Sequence, residues 1–326
     1  LQTFESFAPY LYPPNDSAFD EIALNLFRFQ AEHNPIYKQY LTYIGVVPED
    51  VTSLLKIPCL PIALFRSHDI KTGEWEPEVT YLSSGTTALA SSRHMLPSKA
   101  FYLQHSQRIF EELFGPLKQF HVLFLLPSYL ERTGSSLVDM AQHFISESHS
   151  PLSGFFLRDL DRLADVLRAN HDGRKVLLLG VSFALLDLAE QYELDLSRCI
   201  VMETGGMKGR RPEITREELH AILKSRFRVQ EIHSEYGMTE LTSQAYSRGN
   251  GLFYCPSSMR VMLRELNDPF SSLAAGGQIN VIDLANAHSC SFIETQDLGR
   301  MHNGGHFEVL GRIDASDARG CNLLVE

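Results

Sequence analysis

The stretch Phe227-Arg228-Val229-Gln230-Glu231-Ile232-His233, then Ser234 and Glu235-Tyr236-Gly237-Met238-Thr239-Glu240, decides the fold. Its first half is apolar and β-prone, and Val229 to His233 is predicted as a strand. Its second half puts an aromatic ring, a glycine, a hydroxyl and a carboxylate on one short turn. Such a turn can stack on a flat ring, let backbone approach a ligand, hydrogen-bond an anion and hold a divalent cation.

Working outward, Thr215-Arg216-Glu217-Glu218 is a capping box that opens a helix to about Arg226. Upstream lie three short apolar runs: Cys199-Ile200-Val201-Met202, Lys175-Val176-Leu177-Leu178-Leu179 and His121-Val122-Leu123-Phe124-Leu125-Leu126. Each has the continuous apolar character of a strand buried on both faces, as in parallel sheets. Helical segments are predicted between them, from about Ser135 to Glu147 and near Ser182 to Gln191. Ser98 can cap a helix running through Phe101, Phe110 and Phe114, which Gly115 and Pro116 stop. Residues 17–43 read as helical, and Ser53 to Phe65 as an extended connection. Strand–helix alternation of this kind predicts an α/β fold with a parallel sheet flanked by helices.

After residue 245 the texture changes. Met259 to Leu263, Gln278 to Ile282 and His306 to Leu310 are short strand-like runs separated by glycine turns. The expected division is therefore an α/β core over 1–245 and a β-rich subdomain over 246–326.

The 326 residues suit one large α/β domain with such an appendage. An apolar content of 44% is enough for a sizeable core. The net charge of −11 argues against a nucleic-acid binder, which needs a basic stripe to neutralise phosphates. A single nucleotide needs only a local pocket and is not excluded. No stretch approaches the roughly 18 apolar residues of a membrane span. Leu1 to Asp20 is broken by Pro9, Pro13 and Pro14 and lacks a basic start, unlike a signal peptide. The five cysteines, Cys59, Cys199, Cys255, Cys290 and Cys321, are scattered without a Cys-x-x-Cys pair. That spacing disfavours zinc, and the odd count suggests reduced thiols in the cytoplasm.

Two further loops carry chemistry. Ser83-Ser84-Gly85-Thr86-Thr87 can wrap an anion with backbone N–H groups and hydroxyls, or form an ordinary Ser/Thr turn. It lacks the Gly-Lys-Ser/Thr ending of a P-loop. Gly205-Gly206, inside Glu203-Thr204-Gly205-Gly206-Met207-Lys208-Gly209, follows a predicted strand. That glycine pair can let a flat ligand lie on backbone, or simply make a tight turn.

Tyr236-Gly237-Met238-Thr239-Glu240 resembles a signature of adenylate-forming enzymes, the group of acyl-CoA synthetases and luciferases. Ser83 to Thr87 resembles their phosphate loop, although Ala88 to Arg93 replaces the usual Gly-x-Pro-Lys continuation. Thr295-Gln296-Asp297-Leu298-Gly299 and Leu310-Gly311-Arg312-Ile313-Asp314 resemble their Thr-Gly-Asp and Gly-Arg-x-Asp motifs. The resemblance implies ATP and Mg²⁺, with Glu240 as metal ligand and Thr239 orienting the acyl carboxylate or phosphate. It further implies Gly205 and Gly206 lining the adenine site, Tyr236 stacking on the base and Asp297 binding the ribose. Arg312 would contact ribose or phosphate, and Asp314 would mark the hinge to a lid.

Only residues 315–326 follow Asp314, so the C-terminal lid domain is expected to be absent. The tail Arg319-Gly320-Cys321, together with Pro127 to Arg132 and Ser135-Ser136-Leu137, resembles the acyl-protein synthetases of bacterial bioluminescence. That likeness implies activation of a fatty acid and its transfer to Cys321 as a thioester. An acyl-accepting reductase or carrier protein would be the partner. Two alternatives stand beside it: an acyl-CoA ligase of the phenylacetate type without its lid, and a catalytically idle nucleotide-binding or assembly module.

Overall fold

The computed structural model describes residues 8–83, 91–126, 134–156, 159–169, 172–207, 211–212, 214–266, 268–273 and 276–313. Two compact units result, Leu1–Trp75 with Cys255–Glu326, and Glu76–Tyr254.

The first unit begins with α1 (Asp16–His33), whose cap Asn15 accepts a hydrogen bond from the Ala18 N–H. Phe19, Ala23, Leu26, Phe27 and Gln30 recur at helical spacing and form its buried stripe. The single helical stretch predicted over 17–43 is two helices. Asn34 leaves helical geometry, and its side chain caps α2 (Pro35–Tyr43) by accepting from the Tyr37 N–H at 3.0 Å. Pro35 occupies the first turn of α2, where its missing N–H costs nothing. The predicted extended connection contains single turns at Leu54–Lys56 and Ile62–Arg66 around the short β1 (Leu60–Pro61).

The second unit opens with an antiparallel pair, β2 (Val79–Leu82) and β3 (Arg93–Leu96), on either side of the hydroxyl-rich loop. Then follow α3 (Lys99–Phe114), β4 (Phe120–Leu125), α4 (Ser136–Ser148), β5 (Gly154–Phe155), α5 (Leu160–Arg168) and β6 (Lys175–Val181). The chain continues through α6 (Ser182–Gln191), β7 (Cys199–Thr204), α7 (Arg216–Phe227), β8 (His233–Tyr236), β9 (Ala245–Ser247) and β10 (Leu252–Tyr254). The sheet runs β5-β4-β6-β7-β8-β9-β10. It is parallel as far as β8 and antiparallel beyond. All of β4 is buried, as are the residues of β6 after Lys175, so both faces of the sheet are covered. Phe110 of α3 packs on Phe120, Phe144 and Tyr246 in this core.

Both predicted caps are present. The Ser98 hydroxyl accepts from the Phe101 N–H, and Thr215 and Glu218 form a reciprocal capping box. The strand before the signature turn starts later than predicted, at His233 rather than Val229. Arg228 closes α7 in the left-handed region (φ 57°), and residues 229–232 bring the chain back to the sheet with Val229 and Ile232 buried.

The first unit resumes with β11 (Met259–Glu265), β12 (Asp268–Leu273), β13 (Gly276–Asp283), β14 (Phe292–Met301) and β15 (Phe307–Arg312). They form an antiparallel sheet in the order β12-β11-β13-β14-β15, and β1 pairs parallel to β14. The residues up to Trp75, grouped by their sequence pattern with the α/β core, belong to this unit instead. The Gln30 and Asn34 side chains donate to the carbonyls of Ala287 and Ser289, each at 2.9 Å. Gln30 also accepts from the Ser291 N–H, and Phe27 meets the edge of Phe292. Among the described residues no helix is long and apolar enough to cross a membrane.

Candidate functional site

In a parallel sheet every strand points its carboxyl end the same way, so the loops that follow form one rim where ligands bind. Here that rim contains Gly205-Gly206 after β7 and the Gly237–Glu240 turn after β8.

Gly205 has φ 68°, a backbone that glycine adopts without strain. The Ser182 hydroxyl at the start of α6 donates to its carbonyl at 2.8 Å and fixes the bend. Among the described residues, a Cβ built on Gly206 would meet nothing within 4 Å, so open space faces its backbone there. Gly237 is different. A Cβ there would lie 2.3 Å from Glu235 Oε1, so the glycine admits that carboxyl over its own backbone. The signature turn is thus built around a glycine at close quarters, while the β7 turn presents bare backbone to space.

Two buried histidines hold the signature turn from behind. His94 on β3 places Nδ1 2.8 Å from the Thr239 carbonyl oxygen, where an imidazole N–H donates. His105 on α3 places Nε2 2.8 Å from Ser243 Oγ. Burial pushes the His105 imidazole down to about 3, so it stays uncharged at neutral pH. Thr239 is half-buried and Glu240 buried. Tyr236 is buried with its ring edge-on to Phe253 at 5.8 Å.

The hydroxyl-rich loop is closed at its neck. The Ser83 N–H donates to the Ser92 carbonyl (3.1 Å), and the Ser92 N–H donates to Ser83 Oγ (2.9 Å). His94 follows that neck directly, so one strand links the base of the loop to Thr239. Ser84, Gly85, Thr86 and Thr87 lie outside the described residues, as do Asp314 and Cys321.

Asp297 and Arg312 belong to the other unit, where they face each other as partners across β14 and β15. The Asp297 N–H donates to Thr295 Oγ1 at 3.1 Å, and Arg312 reaches Gln296 Oε1 at 3.5 Å. The predicted site residues therefore fall into two groups: Ser83, Gly205, Gly206, Tyr236, Gly237, Thr239 and Glu240 in one unit, Asp297 and Arg312 in the other.

Among the described residues no group of three His, Cys, Asp or Glu side chains could hold a metal ion. Glu240 would offer a Mg²⁺ one carboxylate. That is the usual way Mg²⁺ is bound beside a nucleotide, so the single carboxylate fits. The four described cysteines are free, and burial raises all of their thiols, which suits packing rather than nucleophilic attack.

Sequence reasoning missed His94 and Thr204. His94 stands between a charged residue and two apolar ones on β3, and its partner lies 145 residues away. Thr204 bonds across β7 and β8 to Glu235, a pairing that only the register discloses.

No protein-family model matches the sequence, and no curated protein does. Solved structures do. The 2-hydroxyisobutyryl-CoA ligase in its postadenylation state with R3-HIB-AMP aligns with a TM-score of 0.67 at 12% identity, covering 94% of this chain and 70% of that one. The chain shares its fold. ATP-bound MatB from Rhodopseudomonas palustris aligns at 0.56 with 19% identity, over 74% of this chain and 49% of that one. O-succinylbenzoate coenzyme A synthetase (MenE) from Bacillus subtilis with AMP aligns at 0.50 with 17% identity, over 74% and 50%. The chain spans about half the length of the latter two proteins. The likeness confirms the α/β architecture with a mostly parallel, helix-flanked sheet.

Proposed function

We propose that this chain activates a carboxylic acid with ATP to an acyl-adenylate. The observation that carries this reading is the turn Gly237–Glu240 at the carboxyl end of β8. It stands beside the open glycine backbone at the end of β7 and is tied through His94 to the neck of the hydroxyl loop. The fold shared with ligases that were solved with AMP, ATP or an acyl-adenylate supports it.

A carboxylate is a poor acyl donor because its charge repels nucleophiles and its oxygen leaves badly. Attack of a carboxylate oxygen on the α-phosphorus forms a new P–O bond, breaks the bond to the β-phosphate oxygen and releases pyrophosphate. The mixed anhydride that remains has a good leaving group. Two anions must meet, so the site has to cancel charge where they approach. Thr239, positioned by His94, orients the acid or the phosphate with its hydroxyl. Glu240 would hold Mg²⁺, which supplies charge neutralisation at the phosphates when bound. Gly205 and Gly206 offer backbone to the adenine, Tyr236 its ring, and Asp297 and Arg312 the ribose and phosphate contacts.

The second half-reaction is acyl transfer to the Cys321 thiolate, with attack on the acyl carbon and departure of AMP. A fatty acid as substrate and a reductase or carrier protein as final acceptor complete this reading, in the cytoplasm. The fold shared with a CoA ligase favours coenzyme A as an alternative thiol. Carboxylate-dependent exchange of pyrophosphate into ATP, measured across short, long and aromatic acids, tests the first step. Exchange with at least one acid is expected, and exchange with none overturns the proposal. Acylation that is lost in Cys321→Ser identifies the protein thiol, whereas acyl-CoA formation by that variant identifies coenzyme A.

A further inference from the structure

Glu235 lies on β8 one residue before the aromatic ring of the signature turn. Its carboxyl is turned inward. Thr204, the last residue of β7 and its register partner, donates a hydrogen bond from its hydroxyl to Glu235 Oε2. The other oxygen, Oε1, packs over the Gly237 backbone, where a Cβ would lie 2.3 Å from it and push the carboxyl aside. One side chain therefore touches both rim segments, immediately before Gly205 at one end and at the first residue of the turn at the other.

We propose that Glu235 is a positioning residue that locks the β7 glycine turn and the Gly237–Glu240 turn into one arrangement. The inference rests on the acyl-activating reading of this rim. Its surroundings favour the neutral acid. The titratable groups facing it are Glu203 from β7, Tyr246 directly opposite on β9 and Tyr102 from α3. Glu203 is paired with the Arg216 guanidinium at 3.5 Å, and the His220 ring lies 3.6 Å away, both from α7. Among the described residues, the buried Tyr246 hydroxyl has no hydrogen-bond partner. Burial, reinforced by Glu203 and offset in part by the Thr204 hydroxyl, pushes the Glu235 carboxyl up to about 7. A neutral carboxyl suits a site that must bring two anions together, because an extra negative charge at its rim would repel both.

The sign of the pH effect follows. Between the ordinary carboxyl range and about 7 the folded chain keeps a proton that the unfolded chain has lost. Stability contributed here thus falls as pH rises across that window and levels off above it.

The test compares the wild type with Glu235→Gln, Glu235→Ala and Thr204→Val. Pyrophosphate exchange and the ligand-free Tm are followed from about pH 5 to about pH 9. Wild-type kcat should fall as pH rises through about 7, and Glu235→Gln, a neutral isostere, should keep kcat within about threefold at low pH and lose that limb. Glu235→Ala should lower kcat by about tenfold with a smaller change in KM, and Thr204→Val should do so less. The wild-type Tm should decline across the same window, with a flatter profile in Glu235→Gln. An unchanged pH limb in Glu235→Gln, or wild-type kcat in a folded Glu235→Ala, overturns the inference. If no acid supports exchange, the proposed reaction fails. The Tm profiles then decide the matter alone, and identical profiles for wild type and Glu235→Gln overturn the positioning role.

Discussion

The two units place their buried polar groups differently. In the parallel sheet, β4 is apolar but for His121 and β6 is apolar after Lys175, and polar groups gather where strands end: the buried Ser182, Glu203 and Thr204 and the half-buried Glu235. In the antiparallel sheet, polar groups run along the strands. Arg264 of β11 is buried against Gln278 of β13 at 2.9 Å and forms an ion pair with Glu294 of β14, while Asn280 lies opposite Glu294. A parallel strand covered on both faces has little room for polarity except near its tips, where Ser182, Glu203, Thr204 and Glu235 brace the turns that form the rim. An antiparallel sheet can satisfy a buried charge from the next strand, and its polar groups serve one another.

That contrast can be broken by experiment. The largest expected effect lies in the antiparallel unit. Arg264→Met leaves the half-buried Glu294 carboxylate without its guanidinium, at a cost of about 2–3 kcal/mol in urea unfolding, below that of a fully buried pair. Replacing both residues together by Met and Leu should recover most of that loss, since an apolar pair of similar volume also packs. Equal losses in the single and double variants would show that the pair stabilises the sheet by more than charge compensation.

At the rim the expected effect is on chemistry. Glu240→Gln should lower the kcat of pyrophosphate exchange by about 10²–10³-fold, with a Tm close to that of the wild type. A large Tm drop with unchanged kcat per folded molecule would make Glu240 a structural carboxylate. Gly206→Val sharpens the comparison further. Among the described residues nothing stands within 4 Å of the new Cβ, so the fold should tolerate it, yet the side chain enters the space proposed for the nucleotide. Its Tm should stay within a few degrees, and KM for ATP should rise by about tenfold or more. A destabilised variant with normal KM would mean the space belongs to folding.

Much of the fold was legible in the sequence because its cues are local. The Ser98 cap, the Thr215–Glu218 box and the apolar runs of β4, β6 and β7 act over a few residues, and all of them appear. What escaped depends on distant partners. Helical periodicity in α1 gives its buried stripe but not the sheet that the stripe covers, which Gln30 and Asn34 select by bonding residues more than 250 positions away. β14 was seen as a motif around Asp297 and not as a strand, since its polarity is satisfied only by neighbours in the sheet. Asn34 breaks the long helical stretch because it caps the second helix while ending the first, a role that a single polar residue does not advertise. At the site, the turn and the glycine pair were legible through their chemistry. The histidine that supports the turn and the Thr204–Glu235 bond were not, because a side-chain contact 145 residues away makes the first and β-sheet register the second.

Hydrogen–deuterium exchange with and without a non-hydrolysable acyl-adenylate mimic tests the central claim most directly. The account predicts protection at residues 203–207 and 236–241, the two ends of β7 and β8. Protection confined to β11–β13, or saturating binding that leaves both segments unprotected, would contradict it.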